Sequence, residues 1–494
     1  MNEMQNQSHN EKQQEDSNAN LHNRNMMHIS KFRYILTILL TIILTSFILL
    51  AILFVGTKGF TIFTSKQSGQ TAKIQQVYNM LDRNYYKNFD NDKVIDQSIK
   101  GMVKGLDDPY SEYMTKKETE KFTEDVSGDF VGIGAEMQKK HDELMVTSPI
   151  KGSPAEKSGL MPKDVVLKVD HKSIKGKAFE EVVNSIRGEK GTDVTLTIKR
   201  GGETKDITIT RDEIHVDSVT YEKKGKVGVF TINKFQEDTS KELKLAIKKA
   251  HKQGVRDIVL DLRNNPGGLL DEAVKMSNIF IEKNKTVVKL QKGNQKEAVK
   301  TTIDPLKEAK DMNVSILVNK GSASASEVFT GAMKDYGLAK VYGETTFGKG
   351  IVQTTHEFKD GSLLKFTEMK WLTPKEHYIH KKGIKPDVNI KSPRYQSLDL
   401  IPDDKTFKVG DKGKNVKSIK IGLEALGYYK GDDKPVFDKD LEQAIMTFQQ
   451  DEKIELTGTF DKETNERFTE KLVEKANKHD AVLDQLLKQV KSKE

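Results

Sequence analysis

The stretch that decides the fold is residues 321–353, GSASASEVFTGAMKDYGLAKVYGETTFGKGIVQ. Its three alternating serines follow an apolar run, residues 314–319, that is typical of a buried strand. A helical pattern comes next and stops at Gly337. The serines are therefore predicted at a strand-to-helix turn, where unpaired backbone N–H groups favour negative charge. Such a turn suits a nucleophile with oxyanion donors beside it, although small residues that merely cap and pack a helix produce the same pattern.

A lysine between two glycines, Lys349, lies near the end of the same stretch. Residues 343–350 nearly match the phosphate-binding loop G-x-x-x-x-G-K-[ST]. However, Gly350 stands where that loop needs a magnesium-binding hydroxyl, and residues 351–358 have the pattern of a strand, not of a helix. The sequence therefore disfavours a nucleotide-binding protein.

Lys349 is instead a candidate general base, because a desolvated lysine has a lowered pKa and can activate a serine. The nearest histidine alternative is His356, which would point to the opposite face of the predicted strand. Two further histidines lie in a polar stretch and are interpreted as surface or packing residues: His377 and His380.

The motifs Ser-Ala-Ser-Ala-Ser-Glu and Thr-Phe-Gly-Lys-Gly resemble the carboxyl-terminal processing (tail-specific) proteases. In that family the nucleophile precedes the lysine by 25 positions, which selects Ser324, and a glutamine follows the lysine by four, which is Gln353. The resemblance implies a serine endopeptidase that needs no metal or cofactor, with Gln353 orienting the amine of Lys349. It also implies a catalytic role for Asp335, eleven residues after the serine. Because eleven helical residues span about 16 Å, Asp335 would support the site without bonding to Ser324.

Residues 261–269, Asp-Leu-Arg-Asn-Asn-Pro-Gly-Gly-Leu, match a second signature of the same family. They place glycine amides at the end of a strand-like run. We expect the amide of Ala325 and that of Gly267 or Gly268 to form the oxyanion hole. Turn chemistry alone would also explain Asn-Pro-Gly-Gly.

Residues 126–213 resemble a PDZ domain in the order of their strand-like runs. A glycine-bearing loop would offer backbone N–H groups to the terminal carboxylate of a peptide that adds to the sheet edge. Arg187 could contact the same peptide, with a solvated arginine as the simpler interpretation. The partners implied are proteins with accessible C termini, and the loop residues are Val131, Gly132, Ile133 and Gly134.

The N-terminal region predicts a membrane anchor. Residues 1–33 are polar and rich in Asn and Gln, as in a disordered tail. Residues 34–55 carry no charge and are long enough for a single transmembrane helix. Lys31 and Arg33 precede this span, so the positive-inside rule predicts a cytoplasmic N terminus and an extracellular catalytic part. The long polar leader without an A-x-A cleavage site favours an uncleaved anchor in the cell membrane.

The remaining segments complete the predicted domain order. Residues 70–125 are predicted as the N-terminal helical part of the protease core and residues 214–395 as its main part. Residues 405–465 resemble a small helical peptidoglycan-binding domain, with a helical spacer as the alternative. Residues 466–494 form a predicted helical tail whose leucines share one face and could pack or support a homodimer.

The composition limits the function classes further. The 494 residues carry a net charge of +8 that is interspersed, so nucleic acid is not implied, whereas an anionic cell wall would suit a basic exterior. The absence of cysteine excludes disulfides and cysteine catalysis. The predicted fold class is multidomain α+β, with a transmembrane helix, a PDZ domain, an α/β Ser–Lys protease core and a small helical C-terminal domain. The alternative is a non-catalytic cell-wall scaffold that presents peptides through its PDZ domain. Such a scaffold would have no use for Ser324, Lys349 and Gln353 together.

Overall fold

Two units contain the described part of the chain. The computed structural model describes Leu36 and residues 38–49, 68–140 and 143–491. One unit ends at Val94 and the other begins at Ile95. Residues 38–49 are helical, and the next elements are α1 (Ser68–Asn84), α2 (Asn91–Lys104), β1 (Glu112–Met114) and α3 (Lys116–Ser127).

The predicted tail at residues 1–33 lies outside the described residues, and the predicted span at residues 34–55 does so in part. Among the helices that the structure does describe, none combines the length and the apolar character needed to cross a membrane.

A small domain follows in which an antiparallel sheet packs against two short helices. The alternation expected of a half-buried strand is clear in β7, where Val194, Leu196 and Ile198 are buried. β2 and β9 pair as a separate ribbon, so the first and last strands of this domain lie side by side. The elements are β2 (Asp129–Gly132), β3 (Ala135–Lys140), β4 (Glu143–Pro149), α4 (Pro154–Lys157), β5 (Val165–Val169), β6 (Lys172–Ser173), α5 (Phe179–Ile186), β7 (Asp193–Arg200), β8 (Glu203–Thr210) and β9 (Asp212–His215).

The main α/β part is built on a six-stranded sheet in the order β10-β11-β12-β15-β16-β19. Its strands are parallel from β11 onward, and their apolar runs are buried, as expected of a sheet covered on both faces. Helices α6, α7 and α9 contribute to the core on one face. The elements of this part are β10 (Val219–Lys224), β11 (Val227–Ile232), α6 (Thr239–Lys252), β12 (Asp257–Asp261), α7 (Leu270–Ser277), β13 (Thr286–Lys292), β14 (Gln295–Lys300), α8 (Lys307–Lys310), β15 (Asn313–Val318), α9 (Ala325–Asp335), β16 (Ala339–Gly343), β17 (Ile351–Glu357), β18 (Leu363–Leu372) and β19 (Val388–Asn389).

A second, antiparallel sheet lies beside the first in the same unit. β18 is its centre, and β1, β13 and β17 all pair with that strand. Trp371 at the end of β18 is 1% exposed and donates its indole N–H to the carbonyl of Lys349, at 2.9 Å. This sheet therefore fixes the backbone of the predicted base.

The C-terminal helices divide between two cores. The first three, which begin after a 3₁₀ turn at Arg394–Ser397, enclose an aromatic core with Phe448 and Phe468. The fourth packs its apolar face on the six-stranded sheet. The predicted helical tail from residue 466 is thus two elements with different partners, and the four helices are α10 (Lys414–Leu426), α11 (Lys439–Glu452), α12 (Lys462–Lys478) and α13 (Ala481–Lys491).

Candidate active site

Ser324 lies in the turn between β15 and α9, as the sequence predicts. Its φ of 54° and ψ of −116° are unusual for a residue with a side chain, and such strain is concentrated at functional sites. The hydroxyls of Ser322 and Ser326 are buried and donate to the backbone carbonyls of Leu262 and Asn265. Ser324 is half-buried and forms a capping box with Glu327, in which its side chain accepts from the backbone amide of Glu327 and no acceptor for its hydroxyl proton is seen within the described residues. The structure therefore separates one available serine from two structural ones.

Two backbone amides beside Ser324 are available for an oxyanion. The amide of Ala325 opens α9, and neither it nor the amide of Gly268 has an acceptor in the part of the chain that the structure describes. The amide of Gly267 already donates to Asn265 Oδ1 at 2.9 Å. The geometry thus favours Gly268 over Gly267 as the second donor, together with Ala325.

Gly267 has a different role, which is to let the glycine loop approach the nucleophile. Its φ is 100°, and a Cβ there would lie 2.8 Å from the Cβ of Ser324 and 2.9 Å from the amide nitrogen of Ala325. The loop is held by Asn265, which is fully buried and donates from its side chain to the carbonyl of Ile232 at 2.7 Å. The turn after β12 and the turn after β15 therefore meet at the carboxyl ends of two parallel strands, where open α/β sheets commonly bind ligands.

Lys349 lies in the loop before β17 and is half-buried. Its Nζ is 4.9 Å from the centroid of the Tyr110 ring, in the turn that precedes β1. Burial lowers the pKa of Lys349, and the positive charge of Lys365 lowers it further, while Asp108 and Glu327 act in the opposite direction. A lysine with a lowered pKa is suited to accept a proton from a serine.

Glu327 is a site residue that the sequence analysis missed. Its side chain is fully buried and accepts hydrogen bonds from the amides of Ser324 (3.0 Å), Gly348 (2.7 Å) and Lys349 (2.8 Å) and from the hydroxyl of Thr346. Burial raises the pKa of Glu327, although these hydrogen bonds counteract the rise. One carboxylate therefore connects the backbone of the nucleophile to that of the predicted base. Its place three residues after the serine, at a helix N terminus, was the available signal.

Gln353 lies in β17, but its side chain does not hydrogen-bond to Lys349 in the described residues. Its Nε2 is buried there without a partner. Lys349 itself precedes the strand, and the register of β17 against β18 shifts between Val352 and Gln353. The prediction that Lys349 and Gln353 lie on one face of the same strand therefore does not hold. The orienting role of Gln353 stays a prediction.

Asp335 ends α9, at the opposite end of the helix from Ser324. Its carboxylate accepts from the amide of Lys375 at 2.8 Å and lies 3.5 Å from Nδ1 of His377. These contacts support the turn after β18, and the catalytic role that the resemblance implies for Asp335 stays a prediction.

The candidate histidines differ in their distance from Lys349 in the folded chain and in their exposure. His356 is exposed and packs edge-on to Phe358. His380 lies close to the base instead, because the amide of Gly350 donates to its Nδ1 at 3.3 Å. Burial and the charge of Lys381 lower the pKa of His380. The histidine that competes with Lys349 is thus His380, which the sequence analysis interpreted as a surface or packing residue.

Comparison with known proteins identifies the family. The probable CtpA-like serine protease of Staphylococcus aureus (strain COL) is 63% identical over 462 residues, which cover 93% of each chain. The chain belongs to peptidase family S41. The model of that family matches residues 226–390 of this S41 protease. Further models match residues 60–119 (activating protease CtpB N-terminal domain), 131–210 (PDZ domain) and 412–467 (putative peptidoglycan binding domain).

A second curated relative agrees with this assignment. The probable CtpA-like serine protease of Staphylococcus epidermidis (strain ATCC 12228 / FDA PCI 1200) is 61% identical over 480 residues, 97% of this chain and 98% of that one. The solved photosystem II D1 C-terminal processing protease is 27% identical and covers 65% of this chain and 86% of its own, with a TM-score of 0.39. The predicted family and the prediction of a serine-type C-terminal processing peptidase are confirmed, and the scaffold alternative is not supported.

The PDZ domain of this S41 protease has two amides free at the predicted peptide loop. Val131 and Gly132 are in β2 and pair with β9. The carbonyls of Ile133 and Gly134 accept from the amides of Ala155 and Ile150, both at 2.8 Å. The amides of Ile133 and Gly134 have no acceptor among the residues described and can receive a carboxylate.

Ion pairs join the PDZ domain to the rest of the S41 protease. Arg187 pairs with Glu124 of α3 at 2.8 Å, so it is not simply solvated. His215 joins Asp129 (2.7 Å) to Glu242 of α6 (3.1 Å). One cluster of side chains in the described residues could hold a metal ion, and it consists of His215, Glu242 and the exposed Asp217. This cluster lies at the junction with the PDZ domain and not beside Ser324.

Proposed function

We propose that this S41 protease cleaves proteins by a Ser–Lys mechanism. Lys349 in its neutral form takes the proton of Ser324, whose oxygen attacks the scissile carbonyl. The oxyanion is stabilised by the amides of Ala325 and Gly268. The protonated lysine gives its proton to the leaving amine, and water then releases the acyl group from Ser324.

The observation that carries this proposal is the lowered pKa of Lys349, together with its connection to Ser324. The buried carboxylate of Glu327 accepts from the backbone amides of both residues. Nζ and the hydroxyl of Ser324 share no hydrogen bond in the described residues. Catalytic hydrogen bonds are often long or unformed without substrate. The proposal therefore includes a movement of Nζ away from the Tyr110 ring when substrate binds.

The proposed substrates are proteins whose C termini are accessible. The terminal carboxylate would bind the amides of Ile133 and Gly134, and the preceding residues would add as a strand to the sheet of the PDZ domain. This arrangement selects a free chain end before cleavage occurs at Ser324.

The proposed location is the outer face of the cell membrane. Residues 34–55 would form the single membrane span, with a cytoplasmic N terminus and an extracellular catalytic part. The match of residues 412–467 to a putative peptidoglycan binding domain favours contact with the cell wall.

The mechanism is tested by turnover of an unstructured protein with an apolar C terminus. Ser324→Ala and Lys349→Ala should abolish cleavage, whereas Ser322→Ala, which removes a structural hydroxyl in the same turn, should retain it in the folded protein. His380→Ala is the matched test of the competing base and should also retain cleavage. Activity that survives Lys349→Ala but disappears in His380→Ala would show that His380, not Lys349, is the general base.

A further inference from the structure

The last helix, α13, is part of the protease core. Its apolar side chains are buried against the face of the six-stranded sheet that α6, α7 and α9 leave open. On the sheet side the contact includes Val229, Val259 and Leu317. The helix contributes Val482, Leu483, Leu486 and Leu487. The peptidoglycan-binding-like domain is therefore inserted between the last strand of this sheet and the helix that covers it.

An arginine connects α13 to the loop that carries the proposed oxyanion donor. The guanidinium of Arg263 donates through Nη1 and Nη2 to both carboxylate oxygens of Asp480, at 2.9 and 2.5 Å. It also donates to both oxygens of Asp261, the last residue of β12. The Arg263 side chain is only 18% exposed. Planar, two-pronged contacts of this kind give positional specificity as well as energy.

Asp480 is itself fixed in place by the helix that it begins. Its Oδ1 accepts from the amide of Leu483 at 3.0 Å, and its carbonyl accepts from the amide of Asp484 at 2.9 Å. The burial of the apolar face of α13 holds this helix end against the sheet. The carboxylate is thus presented to Arg263 from a rigid support.

On the other side, Arg263 directly precedes the turn that leads to Gly268. Asn264, the next residue, has a φ of 57° and exchanges hydrogen bonds with the side chain of Asn319. Asn265 then bonds to the amide of Gly267. A short, hydrogen-bonded turn therefore connects Arg263 to the proposed oxyanion donor.

We propose that Asp480 is a positioning residue for the oxyanion hole, acting through Arg263 on the turn at residues 264–268. This inference rests on the proposed role of the Gly268 amide in catalysis. The segment that follows the peptidoglycan-binding-like domain then sets the efficiency of the chemical step without touching substrate.

The test compares Asp480→Asn with the wild type in the full-length chain. Asparagine caps a helix about as well as aspartate, so this change removes the charge facing Arg263 and keeps the start of α13. We expect kcat to fall by about tenfold to a hundredfold with KM unchanged, as for a displaced oxyanion donor. Affinity for a peptide boronic acid, which forms a tetrahedral adduct with the serine, should fall by a similar factor.

Two variants make the outcome decisive. Asp484→Asn removes another carboxylate of the same helix. That carboxylate faces His479 and not Arg263, so this variant should behave as wild type. Asp480→Glu keeps the charge and should recover part of kcat. Unchanged kcat and boronate affinity in Asp480→Asn would overturn the inference, as would an equal loss in Asp484→Asn. Failure of the wild type to bind the boronate through Ser324 would overturn the proposed mechanism instead.

Discussion

At the scale of single residues, the buried carboxylate of Glu327 is the connection between the proposed nucleophile and the proposed base. Four donors converge on it from two separate segments of chain. A carboxylate can accept all four, whereas an amide offers one accepting oxygen and an NH₂ group that would face the same donors. The geometry at the catalytic centre therefore depends on an acid that does not touch substrate.

We expect Glu327→Gln to lower kcat by about tenfold or more, because the segments of Ser324 and Lys349 lose their common anchor. Amides left unpaired in the buried site should also lower the free energy of unfolding by about 1–3 kcal/mol. Turnover kinetics and thermal unfolding measure the two effects. Glu282→Gln, at a carboxylate that is 77% exposed, is the matched control. An unchanged kcat in Glu327→Gln would contradict the anchoring role.

The charged residues around Lys349 allow a second prediction at this scale, in which two substitutions shift the pKa of Lys349 in opposite directions. The proposed mechanism requires the neutral amine of Lys349, so kcat/KM should rise with pH as Lys349 loses its proton. Burial and Lys365 lower the pKa of Lys349, whereas Asp108 raises it. Lys365→Gln should therefore raise this pKa and move the acid limb of the profile to higher pH. Asp108→Asn should lower the pKa and move the same limb to lower pH.

The pH dependence of kcat/KM in the two variants measures these shifts. Displacement of both profiles in one direction, or of neither, would mean that a group other than Lys349 controls the acid limb.

The residues of the candidate site differ in how far the sequence could predict them. Ser324 and Lys349 stand out because a strand-turn-helix pattern and a glycine-flanked lysine are local features. The capping position of Glu327 is a local signal only for the start of a helix, and Arg263 is an ordinary charged residue in the sequence. The importance of both comes from partners distant along the chain, such as Gly348 and Asp480. Pairings of that kind have no local signature.

At the scale of elements, the strand before the serines and the helix after them follow the predicted pattern, since both have clear apolar spacing. The face of α13 was also visible as a row of leucines, but the sequence could not distinguish packing within the chain from self-association. The surface that α13 packs against is formed by β11, β12, β15 and β16, which become neighbours only in the folded sheet.

A chain that ends at Lys478 should therefore lose stability in the protease core. Four buried side chains of α13 are removed, each contributing about 1.5–3 kcal/mol. Their sum is comparable to the ~5–15 kcal/mol that stabilises a typical domain. We expect a lower Tm and binding of a hydrophobic dye to the exposed sheet. A chain that ends at Lys491 is the control, and equal stability of the two chains would show that α13 is dispensable.

At the scale of the whole molecule, the protease is assembled from separated stretches of chain. The PDZ domain enters and leaves through the paired strands β2 and β9. The peptidoglycan-binding-like domain lies between β19 and α13. The two accessory domains are therefore insertions, and the core contains residues from both sides of each.

This order has a consequence for synthesis. The residues of the helix that covers the six-stranded sheet come after every strand of that sheet in the chain, so the ribosome makes them after those strands. Until they arrive, one apolar face of the sheet is open and Arg263 lacks the carboxylate of Asp480. A nascent chain therefore carries its serine and lysine long before it has a finished catalytic centre.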